Sequence, residues 1–218
     1  MGWKGRILTF HLNALSKDLQ NVLREIGPFT SEKGLYLDGE TALAIYLGHR
    51  VSVDLDWFSK KPLSDPLILA QELKDNGIPF VTGQVDRGTL HGTVHGISVS
   101  FLEYRYPLLA SANRWPEFHC LLASLDDITC MKLSAIAQRG SKKDFIDLYA
   151  LLRNDHDLEE ALELYKKRYA VEDIGHVLFG LAWFDDADRE KTPKMLWDVD
   201  WETVRESIRE WVKEYAKL

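Results

Sequence analysis

Two aspartates separated by one residue, Asp54 and Asp56, are the part of the sequence best suited to chemistry. The surrounding run VSVDLDWF predicts a β-strand, and alternation along a strand places both carboxylates on one face, roughly 6.6–7 Å apart along the backbone. Two carboxylates that converge in this way can hold a divalent metal ion, which phosphoryl or nucleotidyl transfer requires. From Asp-x-Asp alone, the alternative interpretation is a pair of solvated aspartates where a strand ends.

The residues before this pair predict a place for phosphate. Gly39 lies between a strand-like LYLD segment and a helix-like TALAIYL segment, where glycine permits a tight turn. The first turn of that helix presents free backbone N–H groups that can bind an anion. Gly48 is suited to end the helix as a left-handed cap. The sequence therefore predicts a phosphate-binding helix end beside a metal-binding pair.

A second group of charged residues occurs on two predicted helices in the C-terminal half. Lys132 and Arg139 share one face of the first helix, and Asp144 and Asp147 share one face of the next. On residue types alone, this pattern favours a polar stripe with ion pairs from Lys132 or Arg139 to Asp147.

Both regions resemble signatures of a known family. The order of glycine, small residue, spacer and Asp-x-Asp resembles the nucleotidyltransferase superfamily. More closely, GETALAIYLGHRVSVDLDWFS is similar, without a gap, to the first motif of the AbiEii/AbiGii-type toxin family. The second signature of that family is similar to MKLSAIAQRGSKKDFIDLYALL, which matches it at Lys132, Ala135, Arg139, Lys143, Asp144, Asp147 and Tyr149. The two motifs occur in the family's order and together span residues 35–152.

The resemblance implies a function and a role for individual residues. It implies transfer of a nucleotide from an NTP to an acceptor hydroxyl with Mg²⁺ (or Mn²⁺), the tRNA 3′ end as acceptor, and a separately encoded antitoxin protein as partner. It assigns the metal to Asp54 and Asp56 and the triphosphate to Lys132, while Asp147 positions the lysine or the attacking hydroxyl. Arg50 would neutralise phosphate charge or only pair with Glu40. The other implied nucleotide-binding residues are Gly39, Thr41, Ser52 and Asp144.

Two positions depart from the family's pattern. Ser100 stands where the family usually has a third carboxylate, and Glu103 cannot replace it because an offset of three residues reverses the strand face. Glu40 stands where the family has glycine or serine, and its charge would repel phosphates unless it points away or binds the metal itself. The departures leave two alternatives open: a catalytically weakened member that binds a nucleotide or a partner protein, and an enzyme that nucleotidylates a protein.

The elements that would position these residues indicate an α+β fold, a mixed β-sheet with helices followed by a C-terminal helical bundle. We predict a nucleotidyltransferase-like core over residues 1–120 and a helical domain over 121–218 that closes the cleft. Periodicity predicts helices at 11–26, 158–169, 171–184 and 201–216, one more between Asp65 and Gly77, and strands at 78–86, 89–95 and 97–104. The stretch 105–120 is interpreted as a linker, and His91 and His95 as surface or turn histidines.

Composition limits the class of protein. With 218 residues, 45% of them hydrophobic, the chain can bury one large core or two small ones. The net charge of −7 disfavours broad, non-specific attraction to nucleic acid. No apolar run approaches the roughly 18 residues of a membrane span, and the first residues lack the features of a signal peptide. Cys120 and Cys130 are interpreted as reduced thiols of a cytoplasmic protein.

Overall fold

A seven-stranded mixed sheet positions the aspartate pair. The computed structural model describes residues 9–153 and 157–217. The strands are β1 Tyr36–Leu37, β2 Asp54–Ser59, β3 Phe80–Asp86, β4 Thr89–Val94, β5 Ile97–Glu103, β6 Asn113–Trp115 and β7 Cys120–Leu122. Their order across the sheet is β3-β4-β5-β2-β1-β7-β6. The pairs β2/β5 and β1/β7 are parallel and the other neighbours are antiparallel, which confirms the predicted mixed sheet.

The stretch predicted as a linker contributes two strands, so that prediction is wrong. β6 and β7 form a short hairpin, and Leu122 pairs with Leu37 of β1. Trp115, Phe118 and Cys120 are fully buried in the core under the sheet. The prolines that suggested a linker stand outside the strands, at turn positions where a missing N–H is tolerated.

Three helices pack around the sheet: α1 Lys17–Glu32, α2 Gly39–Leu47 and α3 Pro66–Asp75. The predicted first helix is displaced, because Ser16 caps α1 through the Leu19 N–H and the helix continues past Pro28. Burial of Phe29 and Thr30, whose hydroxyl donates to the Gly27 carbonyl at 2.9 Å, outweighs the bond that Pro28 cannot make. The predicted start of α3 is confirmed, since Asp65 caps it through the Leu67 N–H.

Within residues 121–153 and 157–217, six helices follow the sheet: α4 Leu125–Gln138, α5 Lys142–Leu152, α6 Leu158–Tyr169, α7 Gly175–Ala182, α8 Asp185–Arg189 and α9 Trp201–Tyr215. The helices predicted at 158–169 and 201–216 are confirmed within one residue. The helix predicted at 171–184 is shorter, Gly175–Ala182, and both Phe179 within it and Trp183 just after it are exposed. The helices enclose an apolar cluster of their own beside the larger one of the sheet.

In the described ranges 9–153 and 157–217, no helix is long and apolar enough to cross a membrane. The division into domains after residue 120 stays a prediction.

Candidate active site

Asp54 and Asp56 lie at the start of β2, the central strand of the sheet order, and we call them the strand pair. Both side chains are half-buried, whereas Leu55 between them points into the core. The Thr41 hydroxyl donates to the Asp54 carbonyl oxygen at 2.6 Å and lies 2.6 Å from the Ser52 hydroxyl. Thr41 and Ser52 are themselves buried, so they fix the start of β2 from beneath. Their contact with phosphate stays a prediction.

The strand pair carries negative charge without a cationic partner. Burial, followed by repulsion from Glu40 and Asp56, raises the pKa of Asp54 to about 6. Burial raises the pKa of Asp56 as well, and Glu40 adds to the effect. In residues 9–153 and 157–217, the nearby cations form ion pairs with other carboxylates. Uncompensated carboxylates of this kind favour an external cation.

The expected position of the third carboxylate faces the strand pair, but it carries a hydroxyl. Ser100 is paired with Asp56 across β2 and β5, and the two side chains are hydrogen-bonded. The Nδ1 atom of His91 lies 2.9 Å from the Ser100 hydroxyl, so interpreting His91 as a surface histidine is wrong. Glu103 points to the opposite face as predicted, where it accepts a hydrogen bond from the Leu63 N–H at 2.9 Å.

Glu40 lies beside the strand pair and is neutralised by two cations. Its Oε2 atom lies 2.6 Å from Lys143 Nζ and 3.6 Å from Arg50 Nη2. Burial alone would raise the pKa of Glu40, but Arg50 and Lys143 outweigh it and lower that pKa. The carboxylate therefore stays charged inside the site and occupies Lys143, a cation that an incoming phosphate would otherwise meet.

A second set of carboxylates, Asp144 and Asp147 on α5, forms what we call the helical pair. Asp147 accepts a bidentate interaction from Arg50 at 2.6 and 2.8 Å and lies 2.6 Å from Lys132 Nζ. His49 Nε2 lies 2.8 Å from the same carboxylate. Asp144 lies 3.1 Å from Lys132 Nζ and accepts from Arg139 at 2.8 Å. The helical pair is fully buried and fully compensated.

This network determines where the predicted residues of the second motif stand. Lys132 is only 3% exposed and reaches the cavity from beneath, and its contact with triphosphate stays a prediction. Asp147 has no exposed surface, so of its two predicted roles the position favours holding the lysine over meeting an acceptor hydroxyl. Arg50 pairs mainly with Asp147, a partner 97 residues away that was not among its predicted ones. His49 is a member of the network that sequence reasoning missed.

The predicted phosphate-binding helix end at Gly39 contains a carboxylate, Asp38, that the sequence analysis did not include. Gly39 has a φ of 72°, as a turn at this position requires. Its N–H donates to the Asp38 side chain at 2.6 Å, so Asp38 caps α2. Burial raises the pKa of Asp38 to about 7, although the bond to Gly39 and the charge of Arg168 lower it. Residue type at a helix N-cap was a usable signal for Asp38.

A cavity of about 870 Å³ lies between the sheet and the helices α4 and α6. Its charged lining includes Asp56, Glu40 and the three cations Lys132, Arg139 and Lys143, and His91 lines it as well. Much of the rest of the lining consists of aromatic and aliphatic side chains. A pocket of this size and mixed character is typical of a site for a small organic ligand.

The described residues contain no cluster of three or more metal-ligating side chains. Mg²⁺ in phosphoryl-transfer sites is commonly held by one or two carboxylates together with substrate phosphates and water. The strand pair, with its raised pKa values and lack of a cationic partner, fits that kind of site.

Comparisons with known proteins identify the family and the fold. The family model described as "Nucleotidyl transferase AbiEii toxin, Type IV TA system" matches residues 96–214. The uncharacterized protein aq_aa25 of Aquifex aeolicus (strain VF5) is 38% identical over 182 residues, which cover 82% of this chain and 87% of that protein. The crystal structure of JHP933 from Helicobacter pylori is similar in fold, with a TM-score of 0.54, 17% identity, and coverage of 93% of this chain and 94% of that one.

The family match is unevenly distributed over the site. It includes α4 and α5, with Lys132 and the helical pair, and it begins after the strand pair. The similarity to the Aquifex protein and the similarity in fold each extend over most of the chain.

Proposed function

Because the chain belongs to the nucleotidyltransferase AbiEii toxin family of type IV toxin–antitoxin systems, we propose that it transfers a nucleotide from an NTP to an RNA hydroxyl, the 3′ end of tRNA, with Mg²⁺ or Mn²⁺ bound by Asp54 and Asp56. The observation that carries this proposal is the strand pair, which forms no salt bridge among the described residues and of which Asp56 lines the same cavity as the three cations Lys132, Arg139 and Lys143. The metal, the tRNA acceptor and the separately encoded antitoxin are parts of the proposal.

The strand pair would hold the metal through two carboxylate oxygens. When bound, such an ion would offset the charge of the triphosphate and stabilise the charge that develops at the α-phosphate as the nucleotidyl group passes to the hydroxyl and pyrophosphate leaves. Thr41 and Ser52 hold the backbone of Asp54 in place, so the first ligand is positioned before substrate arrives. Ser100 orients Asp56 from the neighbouring strand.

The cations differ in how directly they can meet phosphate. Lys143 and Arg139 have side chains 42% and 60% exposed, and both line the cavity. Lys132 is enclosed by the helical pair and contributes its charge from the cavity floor. We therefore assign the direct triphosphate contacts to Lys143 and Arg139, with Lys143 exchanging Glu40 for a phosphate oxygen. Asp144 and Asp147 hold Lys132 and Arg139 in position.

A second candidate function is supported by specific residues. Ser100 supplies no negative charge for a second metal ion, and Glu40 already occupies Lys143. Both features favour a member that binds a nucleotide or a partner protein without transferring a nucleotide.

The proposal is tested by incubating the protein with each labelled NTP, Mg²⁺ and total tRNA. We expect label on RNA, and a loss of about 100-fold or more in rate for Asp56→Asn, because the variant loses a metal ligand. The control Asp86→Asn, at an exposed position on β3, should retain full activity. Circular dichroism would verify that both variants are folded.

Three outcomes would contradict the proposal in different ways. Label on a co-purified protein and not on RNA would favour the protein-nucleotidylating enzyme. If the protein binds a nucleotide but none of the labelled NTPs gives a labelled product, the result would favour a member that binds nucleotide without transferring it. Full activity in Asp56→Asn would remove the metal site.

A further inference from the structure

Five aromatic side chains form one wall of the cavity that the charged groups also line. This aromatic wall consists of Phe58, Tyr104, Tyr106, Tyr165 and Tyr169. Its rings touch in sequence: the centroids are 5.7 Å apart for Phe58 and Tyr104, 5.2 Å for Tyr104 and Tyr106, 4.7 Å for Tyr106 and Tyr169, and 4.6 Å for Tyr169 and Tyr165. Centroid spacings of this size are those of packed aromatic pairs.

The wall is held rigidly from behind. The hydroxyls of Tyr104 and Tyr169 lie 2.6 Å apart, which joins the end of β5 to α6. The guanidinium of Arg168 lies 5.4 Å from the Tyr104 ring and 5.7 Å from the Tyr169 ring, and it is anchored by the Asp127 carbonyl. Arg168 is itself buried. A surface fixed in this way loses little conformational freedom when a ligand binds.

Tyr106 is the exposed member of the wall. Its ring meets Tyr169 nearly edge-on, at 79°, and the residue remains 47% exposed. Part of the Tyr106 ring is therefore accessible beside the cavity. An accessible aromatic ring on a rigid support is the feature that proteins use to stack nucleobases.

We infer that the aromatic wall is the nucleobase subsite of the NTP, with the base stacked on Tyr106, and this inference rests on the proposed function. One cavity is lined both by the wall and by Lys132, Arg139 and Lys143. A ligand that contacts both sets of residues has a polyanionic part and a flat aromatic part. The cavity volume of about 870 Å³ is adequate for one such small molecule.

Polar groups next to the wall can contact the edge of the stacked base. Ser134 and Gln138 line the same cavity from α4, and the Gln138 amide donates to the Ser134 hydroxyl at 2.8 Å. His176 lines it from α7 and lies 3.2 Å from the Tyr165 hydroxyl. Donors and acceptors at the rim of a stacking surface distinguish one base from another.

The test compares binding of NTPs with binding of inorganic tripolyphosphate, each with Mg²⁺, by calorimetry. The affinity for tripolyphosphate measures binding by the charged residues alone, and the additional affinity for an NTP measures what its nucleoside contributes. We expect Tyr106→Ala to weaken binding of the best NTP on the order of tenfold and to leave tripolyphosphate binding unchanged. Tyr106→Phe should bind like the wild type. Phe179→Ala, which removes a ring 68% exposed on α7, is the matched control and should change neither affinity.

Other outcomes overturn the inference. Unchanged NTP binding in Tyr106→Ala, with a raised KM for the acceptor RNA, would assign the wall to the acceptor. An equal loss of NTP and tripolyphosphate binding would indicate a structural role for Tyr106. If the wild type binds tripolyphosphate and NTP equally, the wall contacts no base, although the proposed transfer reaction would stand. If the wild type binds neither, both the subsite and the proposed function fail.

Discussion

The strand pair and the helical pair contain the same residue type in opposite electrostatic states. Burial tends to raise the pKa of all four carboxylates. In the helical pair, Lys132 and then Arg139 outweigh burial and lower the pKa of Asp144 to about 2, while Lys132 and Arg50 lower that of Asp147. In the strand pair, Glu40 adds repulsion and the pKa of Asp54 rises to about 6.

This difference separates a compensated pair from an uncompensated one. Carboxylates that pair with buried cations have their charge balanced within the protein, and removing one leaves its cationic partners buried without a counter-charge. Buried carboxylates without a salt bridge destabilise the fold, and a bound external cation would relieve that cost. The helical pair therefore stabilises the packing of α4 and α5, and the strand pair is where we propose that the metal binds.

Removing one charge from each pair should give opposite effects on stability. Asp147→Asn leaves Arg50, Lys132 and His49 without their shared carboxylate, so we expect the free energy of unfolding to fall by roughly 3–5 kcal/mol. Asp54→Asn relieves repulsion from Glu40, so stability at pH 8 should stay the same or rise. Urea denaturation of both variants would measure this difference.

Glu163→Gln is the control for general effects of removing a carboxylate. It breaks an exposed pair with Lys166 on α6 and should change stability by less than about 1 kcal/mol. A loss no larger than this in Asp147→Asn would mean that the helical pair is not a stabilising network. A large loss in Asp54→Asn would mean that the strand pair is compensated in solution.

The sequence predicts those parts of the site that depend on local signals. The cap at Asp65, the turn at Gly39 and the alternation that puts Asp54 and Asp56 on one face are set by nearest neighbours, and all three are present. The hairpin of β4 and β5 also follows from its turn at His95-Gly96, and counting back from that turn pairs His91 with Ser100. The contact of His91 with Ser100 could therefore have been predicted from the position of this turn.

The choice of ionic partners could not be predicted in this way. Arg50 and Asp147 are 97 residues apart, and their contact depends on how α5 packs beside α2. The same cation types occur near both pairs in the sequence, so residue identity alone does not tell which carboxylates are compensated. The resemblance identified the residues, and the packing determined which of them are buried.

Asp38 extends the comparison to a single buried carboxylate. Burial raises its folded-state pKa to about 7, above the unfolded value, so the folded state retains a proton that the unfolded state has lost between about pH 4 and pH 7. Stability should therefore fall as the pH rises through this range. Asp38→Asn keeps an N-cap side chain, removes the titration, and should be more stable than the wild type at pH 8 by on the order of 2 kcal/mol.

Thermal and urea unfolding at pH 5 and pH 8 would measure the effect. The difference in free energy of unfolding between wild type and variant should be smaller at pH 5 than at pH 8. A variant less stable than wild type at pH 8 would show that the Asp38 charge is stabilised by Arg168, and that Asp38 belongs with the helical pair.

Ser100→Asp makes the strand pair more negative and should have the smallest of these effects. The new carboxylate would face Asp56 across β2 and β5, so without metal we expect a stability loss of about 1 kcal/mol from repulsion. With Mn²⁺ the additional oxygen ligand should raise affinity about tenfold, which is ~1.4 kcal/mol. Ser111→Asp, the same substitution at an exposed position that does not line the cavity, separates general charge from position. An equal gain in Mn²⁺ affinity in both variants would reflect net charge alone. No gain in Mn²⁺ affinity in Ser100→Asp would mean that the metal lies beyond the reach of a side chain on β5.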